Sequence, residues 1–326
     1  MNVLFIIGNG FDKAQGLDTS YQDFYKDYKK IDATSELEAN LKNSIKSDYE
    51  TWADLEEGLG IYSNHFSDVN TFREVLSIIN NRLKDYLNDQ SHRIASLGLS
   101  KSKLIHDLIY PEGGLEPKQI SYFNNYLSIF TGDNTYINCV TFNYTNTFEE
   151  VFGDSDNLLG FRSSKREATY FRRIMHLHGS LDDMILVGVN DVSQIANENF
   201  REDPYLIEEF VKPEINNGCE NMKNETFSQL ITEAHLIVLF GVSVGVTDNI
   251  WWQMIGERLD DPHDTLRVIY YPFDSSKDTE KHQSSKLRWS KDKIAFLKER
   301  MNIQSTVDDL RDRIYVGINK PFLKLS

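Results

Sequence analysis

The stretch VLFIIGNGFD (Val3 to Asp12) decides the fold of this 326-residue chain. Its first half is a continuous apolar run of strand length, which is typical of a central parallel strand buried on both faces. A glycine turn follows, where the backbone turns tightly and approaches a ligand closely, and a helix is expected after it. Because ligands bind at the C-terminal ends of strands in an open α/β sheet, this stretch predicts both the fold class and the place of a site.

Further apolar, β-branched runs predict the other strands of a mostly parallel sheet. Helical patterns lie between several of them, which indicates an α/β fold with helices that cover the sheet. We expect one domain over residues 1–326, ending in helices that carry apolar residues from Ile294 to Ile314. The predicted strands after the first are 136–142, 173–178, 185–189, 235–240 and 266–271.

Two segments interrupt this alternation. Residues 20–130 are rich in helical patterns and predict a large helical insertion after the first strand. Thr19 and Gln22 have capping-box spacing, and apolar residues from Phe72 to Leu87 repeat with a helical period. Residues 190–225, with prolines and several Asn, predict a loop-rich excursion.

Composition excludes several classes of protein. A net charge of −15 and a pI near 5.0 argue against general nucleic-acid binding, which needs clustered Lys and Arg. Cys139, in an apolar run, is expected to be a buried free thiol, and Cys219 is the other of the 2 cysteines, so a four-cysteine zinc site is excluded. No apolar stretch is long enough to span a membrane, and the N-terminal run breaks at Gly8. We therefore expect a cytoplasmic protein without a membrane partner.

One basic run stands out against the acidic composition. A solvated loop is favoured over a polyanion site as its interpretation, because charge runs usually face solvent. The run consists of Arg162, Lys165, Arg166, Arg172 and Arg173.

Four segments close apolar runs with glycine, Asn, His, Ser or Asp. They are GNGFDKAQGL (Gly8 to Leu17), TFNYT (Thr141 to Thr145), HLHGSL (His176 to Leu181) and LFGVSVGVTD (Leu239 to Asp248). Since the C-terminal ends of parallel strands meet at one edge of a sheet, the four segments predict the wall of one nucleotide pocket. The candidate ligand-binding residues are Gly8, Asn9, Gly10, Phe11, Asp12, Gly16, Thr141, Tyr144, Gly241, Ser243 and Asp248.

The first segment does not complete the dinucleotide-binding fingerprint GxGxxG. A third small residue is required where Lys13 stands. The spacing of Gly8, Gly10, Asp12 and Gly16 instead resembles the sirtuin loop GAGxSxxSGIP, with Asp12 at the first serine.

The later segments resemble sirtuin motifs in the same order. TFNYT resembles the TxNxD stretch, keeping Asn143 and placing Thr145 at the aspartate. HLHGSL resembles the stretch that carries the sirtuin catalytic histidine, which falls on His178. FGVSVGV resembles GTSLxV, with Gly241 and Ser243 matching.

A closer resemblance is to the AbiH family of bacterial phage abortive-infection proteins. It is carried by GNGFDKAQGLDTSYQDF, WADLE (Trp52 to Glu56), TFNYTNTFE, HLHGSL and GVSVGVTDNIWW. The resemblance implies a sirtuin-like Rossmann-type core, a role in anti-phage defence, and NAD as substrate or ligand without a metal. The missing cysteine quartet removes the sirtuin zinc module and argues against a protein deacylase. A phage-derived trigger and a homo-oligomer are the further partners we expect.

The predicted chemistry is hydrolysis of the nicotinamide–ribose bond of NAD. Such a reaction passes through an oxocarbenium-like sugar and needs no general acid, because the leaving group is already cationic. His178 is the candidate base, since an imidazole titrates near neutrality. Asn143 is expected to orient the water or hold a ribose hydroxyl. Gly241 and Ser243 would approach ribose or phosphate, and Asp248 would accept from a ribose hydroxyl or cap its helix.

Several alternatives remain open at this point. Asp12 is expected either to contact ribose or to cap its own helix. Glu56 and Trp52 are expected on a helix surface and in the core, although the resemblance leaves Glu56 a minor candidate for the site. His176, two residues before His178, is expected on the same strand face, where it either supports the site or belongs to the core. A non-catalytic NAD or ADP-ribose sensor that acts through an oligomer or partner is the alternative function.

A metal-dependent hydrolase is the rival enzymatic interpretation. His-x-His on one strand chelates divalent ions in some proteins. The extended pattern HxHxDH fails here, because Ser180 and Leu181 occupy the last two ligand positions.

Overall fold

The computed structural model describes residues 1–153, 157–162, 167–218, 222–273, 283–317 and 322–325. Within these ranges the strands are β1 (Asn2–Ile7), β2 (Thr135–Thr141), β3 (Leu158–Phe161), β4 (Ala168–His176), β5 (Leu236–Phe240), β6 (Arg267–Tyr271) and β7 (Ile314–Val316). They form one 7-stranded sheet in the order β3-β4-β2-β1-β5-β6-β7. Neighbouring strands pair in parallel, except that β3 is antiparallel to β4. The prediction of an α/β fold with a mostly parallel sheet is therefore confirmed.

Helices cover both faces of this sheet and its C-terminal edge. The bounds are α1 (Gly10–Ala14), α2 (Tyr21–Tyr28), α3 (Glu36–Ser47), α4 (Leu55–Tyr62), α5 (Val69–Ser91), α6 (Lys101–Ile109), α7 (Pro117–Leu127), α8 (Thr147–Phe152), α9 (Pro204–Phe210), α10 (Lys212–Gly218), α11 (Lys223–Glu233), α12 (Asn249–Asp260), α13 (Gln283–Arg300) and α14 (Val307–Leu310). None of the helices in the described ranges is long and apolar enough to cross a membrane.

The central strand β1 is buried on both faces because its side chains alternate between two cores. Leu4 and Ile6 belong to a core formed with α11, α12 and α13. Phe5 and Ile7 belong to a second core on the opposite face, formed with α6, α7 and α8. The continuous apolar run of β1 follows from this double burial.

The chain between β1 and β2 folds as α1 to α7, and its helices α2 to α5 form a third core. Trp52, Phe72 and Leu83 are buried there together with chain from the 190–225 region, such as Phe210. The capping-box prediction is off by one residue: α2 is capped by Ser20, whose hydroxyl accepts from the amide of Asp23. This helical layer lies over the C-terminal end of β1.

Some sequence predictions are wrong in their secondary structure. Residues 185–189 form no strand, because this apolar run packs among helices in the third core and makes one isolated bridge, between Val189 and Val211. Ile314 begins β7 instead of continuing a helix. The edge strand β3 was not predicted, because it has only 4 residues and a glycine interrupts its apolar sequence LLGF. The 190–225 excursion contains α9 and α10. Lys165, Arg166 and Cys219 lie outside the described residues.

The order in which successive strands are added to the sheet changes direction at β1. From β1 the chain passes to β2 and then β4 on one side, whereas β5 lies on the other side and leads to β6 and β7. In open α/β sheets the crevice outside such a switch point is where ligands bind. The C-terminal ends of β1, β2 and β5 are therefore the place to look for a site.

Candidate functional site

A cavity of about 450 Å³ lies at these strand ends, and we call it the strand-end cavity. Its wall includes turns after β1, β2, β4, β5 and β6, and residues from α2 and the start of α4 close it from above. Among the candidate residues, those that line it are Gly8, Asn9, Gly10, Asp12, Asn143, Tyr144, His178, Gly241, Ser243 and Asp248. Phe11, Gly16 and Thr141 lie outside the wall. The four sequence segments do converge.

The floor of the cavity is a contact between two glycine turns. The amide of Gly8 donates to the Phe240 carbonyl at 2.9 Å, and the amide of Gly10 donates to the Gly241 carbonyl at 2.9 Å. Gly241 has a φ of 63°, and a Cβ built on it would lie 2.5 Å from the Cα of Gly10. Only glycine fits there, because the two backbones touch and one of them is left-handed.

His178 reaches the cavity because β4 ends at His176 and the chain then turns. Gly179 makes the turn with a φ of 77°, and a Cβ on it would lie 1.7 Å from the Met184 carbonyl oxygen. The carbonyl of His178 accepts from the amide of Leu186 at 2.8 Å. Its ring packs against Phe142 with the centroids 4.9 Å apart. The imidazole is thus fixed in the wall, and the residue is only 5% exposed.

A buried chain of charged groups continues from His178. Its Nε2 lies 2.9 Å from Oδ1 of Asp248, and the same Oδ1 lies 3.2 Å from Nζ of Lys212. The Lys212 ammonium also contacts Oε2 of Glu56 at 2.7 Å. Asp54 caps α4 by accepting from the Glu56 amide at 2.9 Å, which places Glu56 in the first helical turn at the cavity. Glu56 was expected on a helix surface, and that prediction is wrong, because it is buried.

These contacts push the pKa values of the four groups apart. Burial raises the pKa of Glu56 to about 8, even though Lys212 opposes the shift. Burial alone would raise the pKa of Asp248, but Lys212 and His178 outweigh it and lower that pKa below its ordinary value. Burial lowers the pKa of His178, and Lys212 lowers it further. The pKa of Lys212 is raised, because Asp248 and Glu56 outweigh the effect of burial. His178 is therefore neutral near pH 7, beside an ionised Asp248.

A second polar group in the wall consists of Asp12, Asn143 and Thr145. The Thr145 hydroxyl donates to Oδ2 of Asp12, and Thr147 donates to Thr145 at 3.2 Å. Oδ1 of Asp12 and Oδ1 of Asn143 are buried and have no hydrogen-bond partner among the residues that the structure describes. Burial raises the pKa of Asp12 to about 6, against the hydrogen bonds from Thr145 and its neighbours. Buried acceptors of this kind are usually satisfied, so they suit a ligand that donates hydrogen bonds.

Neither aspartate caps its helix through its side chain. Asn9, not Asp12, is the N-cap residue of α1, and no side chain caps that helix. Asp248 stands at the N-cap of α12 but makes no capping hydrogen bond, because its carboxylate is taken by His178 and Lys212. The capping alternatives are therefore wrong. The chain before Asp248 includes Val244 with a φ of 52°, a left-handed conformation that costs a non-glycine residue about 1–3 kcal/mol and clusters at functional sites.

His176 does not share the face of His178. Its Nδ1 bonds to the Asn143 carbonyl at 2.8 Å, and its Nε2 bonds to Oε1 of Glu149 at 2.7 Å. The expectation of a common face is wrong, because strand alternation holds only while the strand continues and β4 ends at His176. His176 instead holds the backbone of Asn143 in place from outside the cavity.

The remaining candidates support the wall or lie behind it. Tyr144 is buried and donates to the Leu186 carbonyl at 3.1 Å, and the Thr141 hydroxyl accepts from the Asn143 amide at 3.1 Å. Phe11 packs in the core, 6.1 Å from Phe148 between ring centroids. Gly16 has a φ of 88° with open space around it.

Sequence reasoning missed Lys212. It lies in the segment expected to be a loop, and no motif or periodicity marks it. Its only local signal is Pro213 directly after it, which favours an extended residue before a helix start. In the part of the chain that the structure describes, no group of three or more His, Cys, Asp or Glu side chains is arranged to hold a metal ion.

Comparison with known proteins agrees with the sequence resemblance. A family model described as bacteriophage abortive infection AbiH matches residues 4–270, which is most of the chain and includes all four cavity segments. A search among curated proteins found no match.

Proposed function

Since the chain belongs to the AbiH family of bacteriophage abortive-infection proteins, we propose that it serves anti-phage defence by hydrolysing the nicotinamide–ribose bond of NAD in the strand-end cavity. The observation that carries this proposal is the buried pair of His178 and Asp248 in the cavity wall, with 2.9 Å between Nε2 and Oδ1. A neutral imidazole whose Nε2–H is donated to a carboxylate presents Nδ1 as an acceptor. That is the state a general base needs.

The charge of the wall suits the reaction. Asp12 and Asp248 line the cavity and are ionised at neutral pH, so negative charge lies close to the place where a sugar would react. An oxocarbenium-like transition state and a cationic nicotinamide ring are both stabilised by nearby carboxylates. The pyrophosphate belongs at the other side, over the glycine floor, where the backbones of Gly8 and Gly10 permit close approach.

The step balances without a general acid. Water attacks C1′ of the ribose, the bond from C1′ to the nicotinamide nitrogen breaks, and its electron pair neutralises the ring. The proton of the water passes to His178 and then to solvent, giving nicotinamide, ADP-ribose and one proton. Oδ1 of Asn143 is buried in the wall and has no partner within the described ranges of the chain, so it would accept from the water or from a ribose hydroxyl.

The test is nicotinamide release from NAD by the purified full chain. It is run alone and with extract from phage-infected cells, because the family context implies a phage-derived trigger. We expect release, and loss of at least about 100-fold in rate for His178→Ala. His106→Ala is the matched control, since His106 lies on α6 with an exposed ring.

Two outcomes contradict the proposal. One is the absence of release in both conditions, and the other is release that His178→Ala leaves undiminished. If calorimetry then finds NAD bound with a one-to-one stoichiometry and no turnover, the cavity senses the nucleotide instead of hydrolysing it.

A further inference from the structure

We propose that Lys212 is a positioning residue that holds Asp248 ionised and thereby keeps His178 neutral, with its Nε2–H directed at Asp248. The inference concerns the same site as the proposed function and rests on it for the role of His178 as a base. Neither the family match nor the sequence motifs assign a role to Lys212.

The geometry gives Lys212 three buried oxygen partners. Its ammonium lies 2.7 Å from Oε2 of Glu56, 3.2 Å from Oδ1 of Asp248 and 3.4 Å from the Thr247 carbonyl oxygen. Lys212 is 4% exposed, and its carboxylate partners are nearly as buried. Because Lys212 is almost completely buried, water does not replace these three oxygens as partners of its ammonium.

The shared atom is Oδ1 of Asp248. It accepts from the Lys212 ammonium and from Nε2 of His178, so the two donors share one oxygen. While the ammonium neutralises that carboxylate, His178 donates to it as a neutral ring. The cation thus sets both the tautomer and the charge of the imidazole.

The same cation joins three separate parts of the chain. Glu56 comes from α4 in the helical layer, Lys212 from the first residue of α10, and Asp248 from the turn after β5. The groups that act on His178 from neighbouring elements are Lys212, Asp248 and, from α11, Lys223. Asp54 adds negative charge beside Glu56.

Loss of the ammonium removes the positive charge beside Asp248. The pKa of Glu56 is already raised to about 8, so Glu56 would be protonated, and Asp248 would remain a buried carboxylate with His178 as the nearest group able to become cationic. A buried carboxylate without another cation favours protonation of a neighbouring imidazole. The pKa of His178 would consequently rise, and a smaller fraction of the imidazole would be able to accept a proton from water.

The experiment measures the pKa of His178 directly. The imidazole 13Cε1–1H resonance is assigned by its disappearance in His178→Gln and titrated by NMR in wild type, Lys212→Met and Lys212→Arg. We expect a rise of about one pKa unit or more in Lys212→Met, and a value close to wild type in Lys212→Arg, which keeps the cation. Lys103→Met is the control, because Lys103 pairs with Asp107 on α6 away from the cavity.

If Lys212→Met does not fold, the double variant Glu56→Gln with Lys212→Met removes one carboxylate together with the ammonium and is titrated instead, with the same expected rise. An unchanged His178 pKa in a folded variant without Lys212 overturns the proposal. So does a Lys212→Arg variant that shifts as far as Lys212→Met.

The readout separates this inference from the proposed function. If NAD is hydrolysed, the acid limb of the rate–pH profile should move upward with the His178 pKa in Lys212→Met. If wild type releases no nicotinamide but the pKa still rises on loss of Lys212, the positioning role stands and the proposed reaction fails.

Discussion

The hydroxyl of Thr145 donates a hydrogen bond to Oδ2 of Asp12, which joins the turn after β2 to the first helix. A carboxylate at one position and its donor at the other form a buried polar pair at one corner of the cavity. The two side chains are therefore partners of each other and belong to one unit of the wall.

This pairing leads to a prediction about pH and stability. Burial raises the pKa of Asp12 from 3.8 to about 6 in the folded chain. A folded-state pKa above the unfolded value stabilises the fold at low pH, and that contribution is lost as pH rises from about 4 to about 6. The free energy of unfolding of wild type, relative to Asp12→Asn, should fall by about 3 kcal/mol over this window.

Urea denaturation at a series of pH values measures this difference. Asp32→Asn is the control, because it makes the same change of charge at an exposed position. The prediction is contradicted if the difference in the free energy of unfolding between wild type and Asp12→Asn stays constant from pH 4 to pH 7.

A second prediction concerns the glycine floor. Gly241→Ala should lower the free energy of unfolding by about 3 kcal/mol, because a left-handed L-residue costs about 1–2 kcal/mol and the methyl group meets the Gly10 backbone as well. Gly16→Ala is the matched control: its φ of 88° is also left-handed, but its surroundings are open. It should lose only about 1–2 kcal/mol by the same urea measurement. If the two variants lose the same free energy of unfolding, the close contact between the Gly241 and Gly10 turns does not add to the cost of a side chain at Gly241.

A third prediction concerns the histidine outside the cavity. Burial lowers the pKa of His176, but the hydrogen bond and charge of Glu149 outweigh it and leave that pKa raised. Its stabilising contribution is present below the unfolded histidine pKa near 6.5 and is lost as pH rises through the folded value. Glu149→Gln should therefore cost at most about 1 kcal/mol below pH 6 and less above pH 8, since the Glu149 side chain is 35% exposed.

Thermal unfolding at pH 5.5 and pH 8.5 provides the measurement. Glu150→Gln is the control, because it makes the same substitution at the next residue of the same helix, which is exposed. If Glu149→Gln destabilises the protein more at pH 8.5 than at pH 5.5, the pH dependence is opposite to the expected one and the prediction is wrong.

Local patterns were sufficient to predict the parts of the fold that are buried on both faces. The strands β1, β2, β5 and β6 lie within one or two residues of their predicted bounds. A strand that is buried on both faces needs only a continuous apolar, β-branched run, and the sequence shows such a run directly. Residues 185–189 carry the same signal and form no strand, since only the tertiary structure decides whether such a run meets a sheet or helices. The three-residue β7 is too short to have a period at all.

The candidate site was predictable only where residues follow strand ends. Asn143, His178 and Asp248 were found because each closes an apolar run and all parallel strands end at one edge. Lys212 was not found, because its role depends on Glu56, which is far from it in sequence and adjacent in space. No periodicity or motif encodes a contact between two helices that are not neighbours along the chain.

The last prediction tests the stability of that contact. Lys212→Met should lower the free energy of unfolding at pH 7 by about 3–5 kcal/mol, because it leaves Asp248 as a buried carboxylate without its cation. Lys30→Met removes a lysine from an exposed pair with Asp27 and should cost under about 1 kcal/mol. The cost for Lys212→Met should shrink at pH 4.5, where a proton on His178 or Asp248 replaces the charge of the missing ammonium. Urea titrations of both variants at pH 4.5 and pH 7 measure these differences, and similar costs for the two lysines would show that the buried pair contributes no more than a surface one.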